Sequence, residues 1–383
     1  MRQFRRAPSR GGWGLLLLVM LSMSWPGACA MKPPGAKASG AAPVRHVFVI
    51  VLENEPYLTT FGEQSPAPFL AHELPKQGAL LDQYFGIGHY SLDNYIAMIS
   101  GQAPNSGTQA DCPVYNEFNR NAPGLDPDGQ ALGEGCIYPA DVRTLANQLD
   151  AATFSWRGYM EDMGADPSRE SAGCGHVAIG APDYTNHATA SDQYADKHNP
   201  FAYFHSIIDD PVYCGRHIVN LDHLVKDLQS VGTTPNFAFI TPNLCHDGHD
   251  VPCKNGEPGG LNSADAFLRV WVPRILASPA FRQDGLLVIT FDEGTDAQSC
   301  CDEQGLPGGP APGRFGPGGG RIGAVLLSPF IAPDTLSSTS YNHYSLLRTI
   351  EDLFGLPHIG YAGAPKLQSF GDDVFTRAPT LVP

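Results

Sequence analysis

Short apolar runs that end abruptly at polar residues are the dominant pattern of this chain. Residues 286–291 (LLVITF) are followed directly by an acidic pair at 292–293, and residues 45–52 (RHVFVIVL) by Glu and Asn at 53–54. A short apolar run rich in β-branched residues is typical of a strand that is buried on both faces. The pattern therefore predicts strands of a parallel sheet whose carboxyl ends carry carboxylate and amide side chains.

Segments with helical spacing alternate with these strands. Strands are predicted at 45–52, 79–85, 153–160, 236–241, 286–291 and 321–328, and helices at 66–77, 91–100, 142–151, 217–229, 262–277 and 341–354. This alternation predicts the α/β class, with a largely parallel central sheet between two layers of helices. Ligands of such sheets bind outside the carboxyl ends of the strands, so the polar strand ends predict one common site.

Three irregular segments interrupt the pattern, at 102–140, 161–200 and 297–320. They are too long for ordinary connections, and we expect them to shape the pocket. Eight cysteines follow residue 30, at positions 112, 136, 174, 214, 245, 253, 300 and 301. An even number in an exported chain favours disulfides, and Cys245 and Cys253 are close enough to close one loop, although the full connectivity does not follow from the sequence.

The first 30 residues have the pattern of a signal peptide. Four arginines precede the apolar stretch 15–21, and Ala28-Cys29-Ala30 supplies a small-x-small cleavage site. We expect residues 31–43 to be a flexible linker and 44–383 a single domain that is secreted or periplasmic. A lipid anchor on Cys29 is the less favoured alternative. No later run approaches the roughly 20 apolar residues of a membrane span.

The exported part of the chain is acidic. Without the leader, 20 lysines and arginines face 39 aspartates and glutamates. This balance argues against nucleic acid or an anionic membrane as a partner held by charge alone. An anionic substrate would have to be attracted locally, by a metal or a few placed donors. The sequence leaves the oligomeric state open.

The polar strand ends and one serine carry the candidate chemistry. Adjacent carboxylates at a strand end favour a bound cation, because like charges at close range are costly, although an acidic turn is the alternative. Ser91 lies at the start of the predicted helix 91–100, where it is either a plain cap or a nucleophile assisted by the helix N-terminus. Residues 246–250 (HDGHD) form the densest group of potential ligands in the chain.

The ordered set of these segments resembles the phosphoesterase family of bacterial and fungal acid phosphatases and phospholipases C, in the alkaline phosphatase superfamily. The matching pieces span most of the chain: LEN at 52–54, HYSLDNY at 89–95 with SG at 100–101, KHNPF at 197–201, PN at 242–243, DGHD at 247–250, DEG at 292–294 and YNHYS at 341–345. The resemblance implies an alkaline-phosphatase-like three-layer sandwich with long, disulfide-tied loops over the active site.

The resemblance also implies roles for individual residues. It assigns metal binding to Glu53, Asn54, Asp292, Glu293 and Ser91, with Ser91 also the nucleophile. It assigns catalytic roles to His198, His249 and Asp296 and substrate binding to His89, Asn94 and His343. One position departs from the family pattern, because Tyr90 stands where a proline usually follows the first histidine. This substitution affects how the chain enters the Ser91 helix.

These residues predict an exported, metal-dependent phosphoesterase that hydrolyses phosphate monoesters through a phosphoserine. A ligand set of carboxylates and an amide suits Mg, Ca or Mn and favours one metal ion over a pair of zincs, while the identity of the ion (Mg, Ca, Mn or Zn) stays open. Histidine acids would favour acidic pH. The substrate is a small-molecule or lipid phosphoester, and a phospholipase C-type or other phosphodiesterase is the alternative.

Other functions fit the sequence less well. Ser91 lacks the G-x-S-x-G motif of a nucleophile elbow, and no C/S-x-P-x-R motif of a sulfatase surrounds Cys112. A secreted, cation-stabilised binding protein could use the same acidic clusters, and residues 126–129 (DPDG) suggest a calcium loop. That alternative leaves Ser91 and the histidines without a role.

Overall fold

The computed structural model describes residues 43–313 and 316–377 of the chain. Within them the strands are β1 His46–Leu52, β2 Ala79–Leu81, β3 Tyr84–Phe85, β4 Asn119–Leu125, β5 Ala131–Glu134, β6 Trp156–Met160, β7 Ile218–Asn220, β8 Phe237–Thr241, β9 Gly285–Phe291, β10 Ala324–Leu327, β11 Thr335–Ser337 and β12 Tyr341–Asn342. The predicted leader and nearly all of the predicted linker lie outside the described residues.

Eight of these strands form the central sheet, in the order β11-β2-β10-β9-β1-β8-β6-β7. β1 lies at its centre and is parallel to β8 and β9, with Ile50 aligned with both Ile240 and Ile289. β10 is antiparallel to both of its neighbours, β9 and β2. Every residue of β1 and β9 is buried, as the continuous apolar runs predict.

The helices are α1 Tyr57–Phe61, α2 Ser91–Ser100, α3 Leu145–Ala151, α4 His205–Ile208, α5 Pro211–His217, α6 His223–Asp227, α7 Gly260–Ala277, α8 Pro279–Asp284 and α9 His343–Phe354. Shorter turns of π or 3-10 helix lie at Phe69–Glu73, Pro75–Gln77, Thr108–Ala110, Asp196–His198, Pro200–Tyr203 and Gly360–Gly363. None of the described helices is both long enough and apolar enough to span a membrane.

The helices cover both faces of the sheet. Phe48 of β1 is aligned with Ala238 of β8, so Phe48 and the next residue of β8, Phe239, point to opposite faces. Phe48 contacts Phe281 of α8, with ring centroids 6.5 Å apart, whereas Phe239 contacts Tyr95 of α2 at 6.1 Å. α8 and α2 therefore lie on opposite sides of the sheet, which confirms the predicted α/β three-layer sandwich.

Several predicted elements differ in detail. The strand expected at 79–85 is divided into β2 and β3, and the helix expected at 341–354 begins at His343, after β12. Three further differences have a clear local reason. The helix expected at 66–77 is divided into short turns, because Pro75 has no N–H to continue it. The helix expected at 142–151 starts at Leu145, because Thr144 caps it. The start of the helix expected at 217–229 is instead strand β7, in which β-branched residues pair with the sheet edge at β6.

The irregular segments are tied by disulfides. The bonds join Cys112 to Cys136, Cys174 to Cys214, Cys245 to Cys253, and Cys300 to Cys301. The predicted use of the cysteines in disulfides is confirmed, including the loop between Cys245 and Cys253. The first irregular segment also contains a hairpin of β4 and β5, which the sequence pattern did not indicate.

Candidate active site

Ser91 and Glu53 come together at the carboxyl edge of the sheet. Ser91 is the first residue of α2, and Glu53 directly follows β1. The Ser91 hydroxyl donates a hydrogen bond of 2.8 Å to Glu53 Oε2. Both residues are buried. The hydroxyl therefore lies at the N-terminus of a ten-residue helix, where the peptide dipoles stabilise negative charge, and it has a carboxylate as proton acceptor.

The turn before Ser91 is built in a way that a proline could not reproduce. Tyr90 has φ +117°, a value far from the φ near −65° that proline requires. Its N–H donates to Glu293 Oε2 at 2.8 Å, and proline has no N–H. A non-glycine residue at this φ is strained, so the surrounding contacts must hold it there. A proline at position 90 could therefore not form this turn.

Asn94 is one source of that restraint. Its Oδ1 accepts the N–H groups of Ile87 and Gly88, at 2.7 and 3.1 Å, and its amide nitrogen donates to the carbonyl oxygens of Gly88 and Tyr90. The side chain is fully buried. Asn94 is a predicted substrate-binding residue, whereas here its amide holds the turn that positions Ser91.

Three carboxylates from three strand ends meet beside Ser91. Glu53 follows β1, Asp247 lies in the loop after β8, and Asp292 follows β9; each is at most 1% exposed. Asp247 Oδ2 and Asp292 Oδ2 have no hydrogen-bond partner among the described residues, and Glu53 Oε1 is approached by the imidazole of His198 without forming a hydrogen bond. Burial raises the pKa of all three carboxyl groups. Buried, unpaired oxygens from separate segments fit a divalent cation, which neutralises such a cluster.

His198 completes the donor set. Its Nε2 lies 3.0 Å from Glu53 Oε1 and its Nδ1 lies 3.7 Å from Asp247 Oδ2. The potential ligand atoms of these three residues all lie within 4.8 Å of one another. The ring of Tyr95 stacks on the imidazole, with centroids 5.1 Å apart. Burial, with a smaller contribution from Lys197, lowers the pKa of His198, and a neutral imidazole suits a metal ligand better than a proton donor.

Asn54 supports this cluster through two hydrogen bonds. Its backbone N–H donates to Asp292 Oδ1 at 2.9 Å, and its side-chain nitrogen donates to Glu53 Oε2 at 2.7 Å. Its backbone is left-handed, with φ +57°, a conformation that asparagine tolerates better than most residues. Asn54 thus orients two of the carboxylates, one through its backbone N–H and one through its side-chain nitrogen. Its metal binding through the side-chain oxygen stays a prediction.

Glu293, His89 and Asp296 form a second group of contacts. Glu293 Oε2 lies 3.1 Å from His89 Nδ1, and His89 Nε2 donates to the carbonyl oxygen of Asp296 at 2.8 Å. Burial raises the pKa of Glu293 to about 7, and the hydrogen bond from His89 opposes that shift. The carboxylate of Glu293 therefore contacts His89 and the N–H of Tyr90, and its predicted metal binding stays a prediction.

A pocket of about 390 Å³ opens beside this second group. It is lined by Asn54, His89, Tyr90, Glu293, Gly294, Thr295, Asp296 and Ala297. The carboxylate of Asp296, a predicted catalytic group, accepts hydrogen bonds from the backbone and side chain of Gln298. The lining thus includes Tyr90, which precedes Ser91 in the chain, and Asn54, which follows Glu53.

His343 and His249 occupy contrasting positions. His343 is fully buried, with Nε2 donating to the carbonyl oxygen of Asp292 at 2.6 Å and Nδ1 3.2 Å from the Tyr84 hydroxyl. Burial lowers its pKa to about 4. This predicted substrate-binding residue therefore supports the Asp292 backbone. The side chain of His249 is 51% exposed at the rim, where its Nδ1 lies 3.1 Å from Asp250 Oδ1.

The structure adds three residues to those assigned from the sequence. Asp247 and Lys197 belong to the matching segments DGHD and KHNPF, and each precedes an assigned histidine closely. Their closeness to His249 and His198 could have indicated from the sequence that Asp247 and Lys197 belong to the site. Asp111, which is the ion-pair partner of Lys197, lies in an irregular segment and gave no signal. The ammonium group of Lys197 contacts Ser91, and the carboxyl groups of Asp247 and Glu53 influence each other's charge. Asp111 acts on the site through its ion pair with Lys197.

Comparison with known proteins identifies the family. The chain belongs to the Phosphoesterase family, whose model matches residues 63–357. A probable acid phosphatase of Kluyveromyces lactis is 26% identical over 325 residues, which are 84% of this chain and 60% of that protein. A phosphatidylinositol-3-phosphatase of Mycobacterium tuberculosis is 27% identical over 94% of this chain and 92% of its own length. The predicted family is confirmed.

A solved structure of similar arrangement belongs to the alkaline phosphatase superfamily. This protein of Vibrio parahaemolyticus superposes with a TM-score of 0.45 and 13% identity, over 85% of this chain and 72% of that one. The present chain spans about 60% of the length of the fungal relative named above.

Proposed function

We propose that this chain is an exported phosphomonoesterase that works through a phosphoserine on Ser91, assisted by one divalent cation. The observation that carries the proposal is the 2.8 Å hydrogen bond from the Ser91 hydroxyl to Glu53 Oε2, at a helix N-terminus beside three buried carboxylates. A helix N-terminus is suited to bind phosphate as well as to stabilise a serine alkoxide. A cation-binding protein without catalysis would have no use for this serine.

The cation would be held by Glu53, Asp247, Asp292 and His198. When bound, it would lower the pKa of a nearby hydroxyl and withdraw charge from a phosphoryl oxygen. The carboxylates favour Mg, Ca or Mn, while the imidazole of His198 extends the range to zinc. Asn54 and Glu293, which are also predicted ligands, lie next to this set and bond to Glu53 and to the N–H of Tyr90. Their binding to the cation, like that of Ser91, stays a prediction.

The residues of the chain account for both half-reactions. In the first, the Ser91 oxygen bonds to phosphorus as its proton passes to Glu53, and the bond from phosphorus to the alcohol oxygen breaks. The departing alcohol takes up a proton, for which His249 at the rim is the donor. In the second, water attacks the phosphoserine and gives a proton to His249, the bond from phosphorus to the Ser91 oxygen breaks, and Ser91 regains its proton from Glu53 as phosphate leaves.

The relatives support a monoester substrate. The fungal protein is named a probable acid phosphatase, and the mycobacterial protein is named for the removal of the 3-phosphate of a phosphatidylinositol, which is a monoester group on a lipid. We therefore include both soluble and lipid monoesters among the candidate substrates. The four disulfides support export, because disulfides persist in oxidising compartments.

Replacement of the nucleophile tests this function. Ser91→Ala should lower the hydrolysis of an aryl phosphate by roughly a thousandfold or more, and chelation of the purified protein should abolish turnover until a cation is restored. Ser338→Ala, at an exposed serine, is the matched control. Rapid quenching with labelled substrate should place phosphate on Ser91. Substantial activity in Ser91→Ala, or turnover that is indifferent to chelation, would overturn the proposal.

A further inference from the structure

Lys197 brings a positive charge to the nucleophile. It lies in the turn Asp196–His198, and its ammonium group is 3.4 Å from Ser91 Oγ and 3.0 Å from Asp111 Oδ2. Only 13% of its side chain is exposed. In the described part of the chain, no other lysine or arginine makes an ion pair or hydrogen bond with Ser91, Glu53, Asp247 or Asp292. Lys197 is therefore the one permanent cation of the site.

The position of this ammonium group is fixed from the helix that carries Ser91. Asp111 Oδ1 accepts the N–H of Leu92 in the first turn of α2, at 3.0 Å, while its Oδ2 holds Lys197. Cys112, the next residue, is joined to Cys136. The carboxylate of Asp111 thus connects the ammonium group of Lys197 directly to the backbone beside the nucleophile.

A plain structural ion pair does not account for this arrangement. Burying a lysine is costly, and an ion pair that served stability alone could lie at the surface, where that cost is avoided. Here the ammonium group points to the nucleophile as well as to Asp111. An ammonium has three hydrogens, and the two hydrogen bonds in the structure leave one for an additional acceptor next to Ser91 Oγ.

The negative charge of the site indicates which kind of phosphoester would need the ammonium group of Lys197. Lys197 interacts electrostatically with four carboxyl groups, those of Glu53, Asp111, Asp247 and Asp292. A single divalent cation would offset only part of their negative charge. A phosphate monoester carries up to two negative charges, whereas a diester carries one. Entry of a dianion into an acidic site needs more compensating positive charge than entry of a monoanion.

We propose that Lys197 binds a non-bridging phosphoryl oxygen at Ser91 and thereby makes the site prefer dianionic phosphate monoesters to monoanionic diesters. This inference rests on the proposed function and adds the residue that sets its substrate class. Asp111 is the positioning residue that holds Lys197 in place. The ammonium group also stabilises the Ser91 oxygen for either substrate, so the discriminating quantity is the ratio of the two activities.

The test compares kcat/KM for an aryl phosphate and a bis-aryl phosphate at pH 7.5, where the monoester is dianionic because its second pKa is near 6. Loss of a hydrogen bond between charged groups predicts that Lys197→Met lowers the monoester value by roughly 10- to 100-fold. The monoester-to-diester ratio should fall about tenfold, and Lys197→Arg should retain much of it. Lys76→Met, at an exposed lysine, is the control.

Asp111→Asn is a milder second variant. Asparagine keeps the acceptor for the N–H of Leu92 and tolerates the left-handed backbone of this residue, at φ +52°. It removes the charge that holds Lys197, so the ratio should fall, but by less than in Lys197→Met. Thermal unfolding of each variant shows whether the fold is retained.

Phosphate binding gives a readout that does not depend on turnover. In the Ser91→Ala background, inorganic phosphate at pH 7.5 should raise the melting temperature, and Lys197→Met should weaken that binding at least about tenfold. Equal losses for monoester and diester, or unchanged phosphate binding, would overturn the role of Lys197. Those results would leave the proposed function standing, whereas an active Ser91→Ala variant would remove the proposed function itself.

Discussion

Asp292→Asn should make the protein more stable without metal and less stable with it. Asp292 Oδ1 accepts the N–H groups of Asn54 and Glu293, at 2.9 and 2.6 Å, whereas its Oδ2 is buried without a partner beside the carboxyl group of Glu53. Asparagine keeps the accepting oxygen, replaces the other by a donor, and removes one of three neighbouring negative charges. The change is therefore close to isosteric and acts almost entirely on charge.

The magnitude follows from these contacts. Two unit charges about 4 Å apart repel by about 4 kcal/mol at an effective dielectric constant of about 20, and a hydrogen bond to a charged group contributes about 1.5–3 kcal/mol. Protons already relieve part of the repulsion, because burial raises the pKa of Asp292. We therefore expect a gain of about 1–3 kcal/mol in the free energy of unfolding in EDTA, or several degrees in Tm.

A bound cation should make the wild type more stable than Asp292→Asn. At a concentration one hundred times its Kd, a ligand stabilises the folded state by about 2.7 kcal/mol, and the variant, which lacks one ligand, should obtain little of this. The assay is thermal unfolding at pH 7.5 in EDTA and in Mg, Ca, Mn or Zn, with Asp334→Asn at an exposed site as control. Should no cation shift the Tm of the wild type, and should Asp292→Asn be the less stable protein in EDTA, the three carboxylates do not form a cation site.

Two further predictions concern residues that support the site and the fold. Asn94→Ala leaves the N–H groups of Ile87 and Gly88 without their acceptor, so it should cost about 2–4 kcal/mol of stability and lower kcat more than it raises KM. Denaturant unfolding and steady-state kinetics check this, and unchanged kcat in a folded variant would contradict it. Burial raises the pKa of Glu351 to about 8, so the folded state retains a proton that the unfolded state releases above its pKa of about 4.5. The stability associated with this group is therefore greatest below about pH 4.5 and falls, by at most about 1.4 kcal/mol per pH unit, as the pH rises to about 8. Glu351→Gln should remove that part of the pH dependence of Tm, and an identical dependence in both proteins would refute the assignment.

The sequence was sufficient for the scaffold of the site. The apolar runs at β1, β8 and β9 predicted buried strands, and the polar residues after them predicted the edge at which Glu53 and Asp292 meet. The helical spacing after Ser91 predicted α2 at 91–100, and Gly101, which follows it, adopts a left-handed conformation at φ +66° that ends the helix. These features are local, because burial and backbone preference act on residues that are close in sequence.

Which polar atoms face one another was decided only by the tertiary structure. Lys197 reaches Ser91 across 106 positions, and Asn54 reaches Asp292 across 238. His343 has no sequence feature that distinguishes a support of the Asp292 backbone from a contact with substrate. The role of a polar group depends on whether packing leaves it a partner, and that partner comes from another segment of the chain. The periodicity of the sequence therefore predicted where the site lies. Which residues face the proposed metal ion, which hold the backbone around it, and which lysine reaches Ser91 depended on the packing of distant segments.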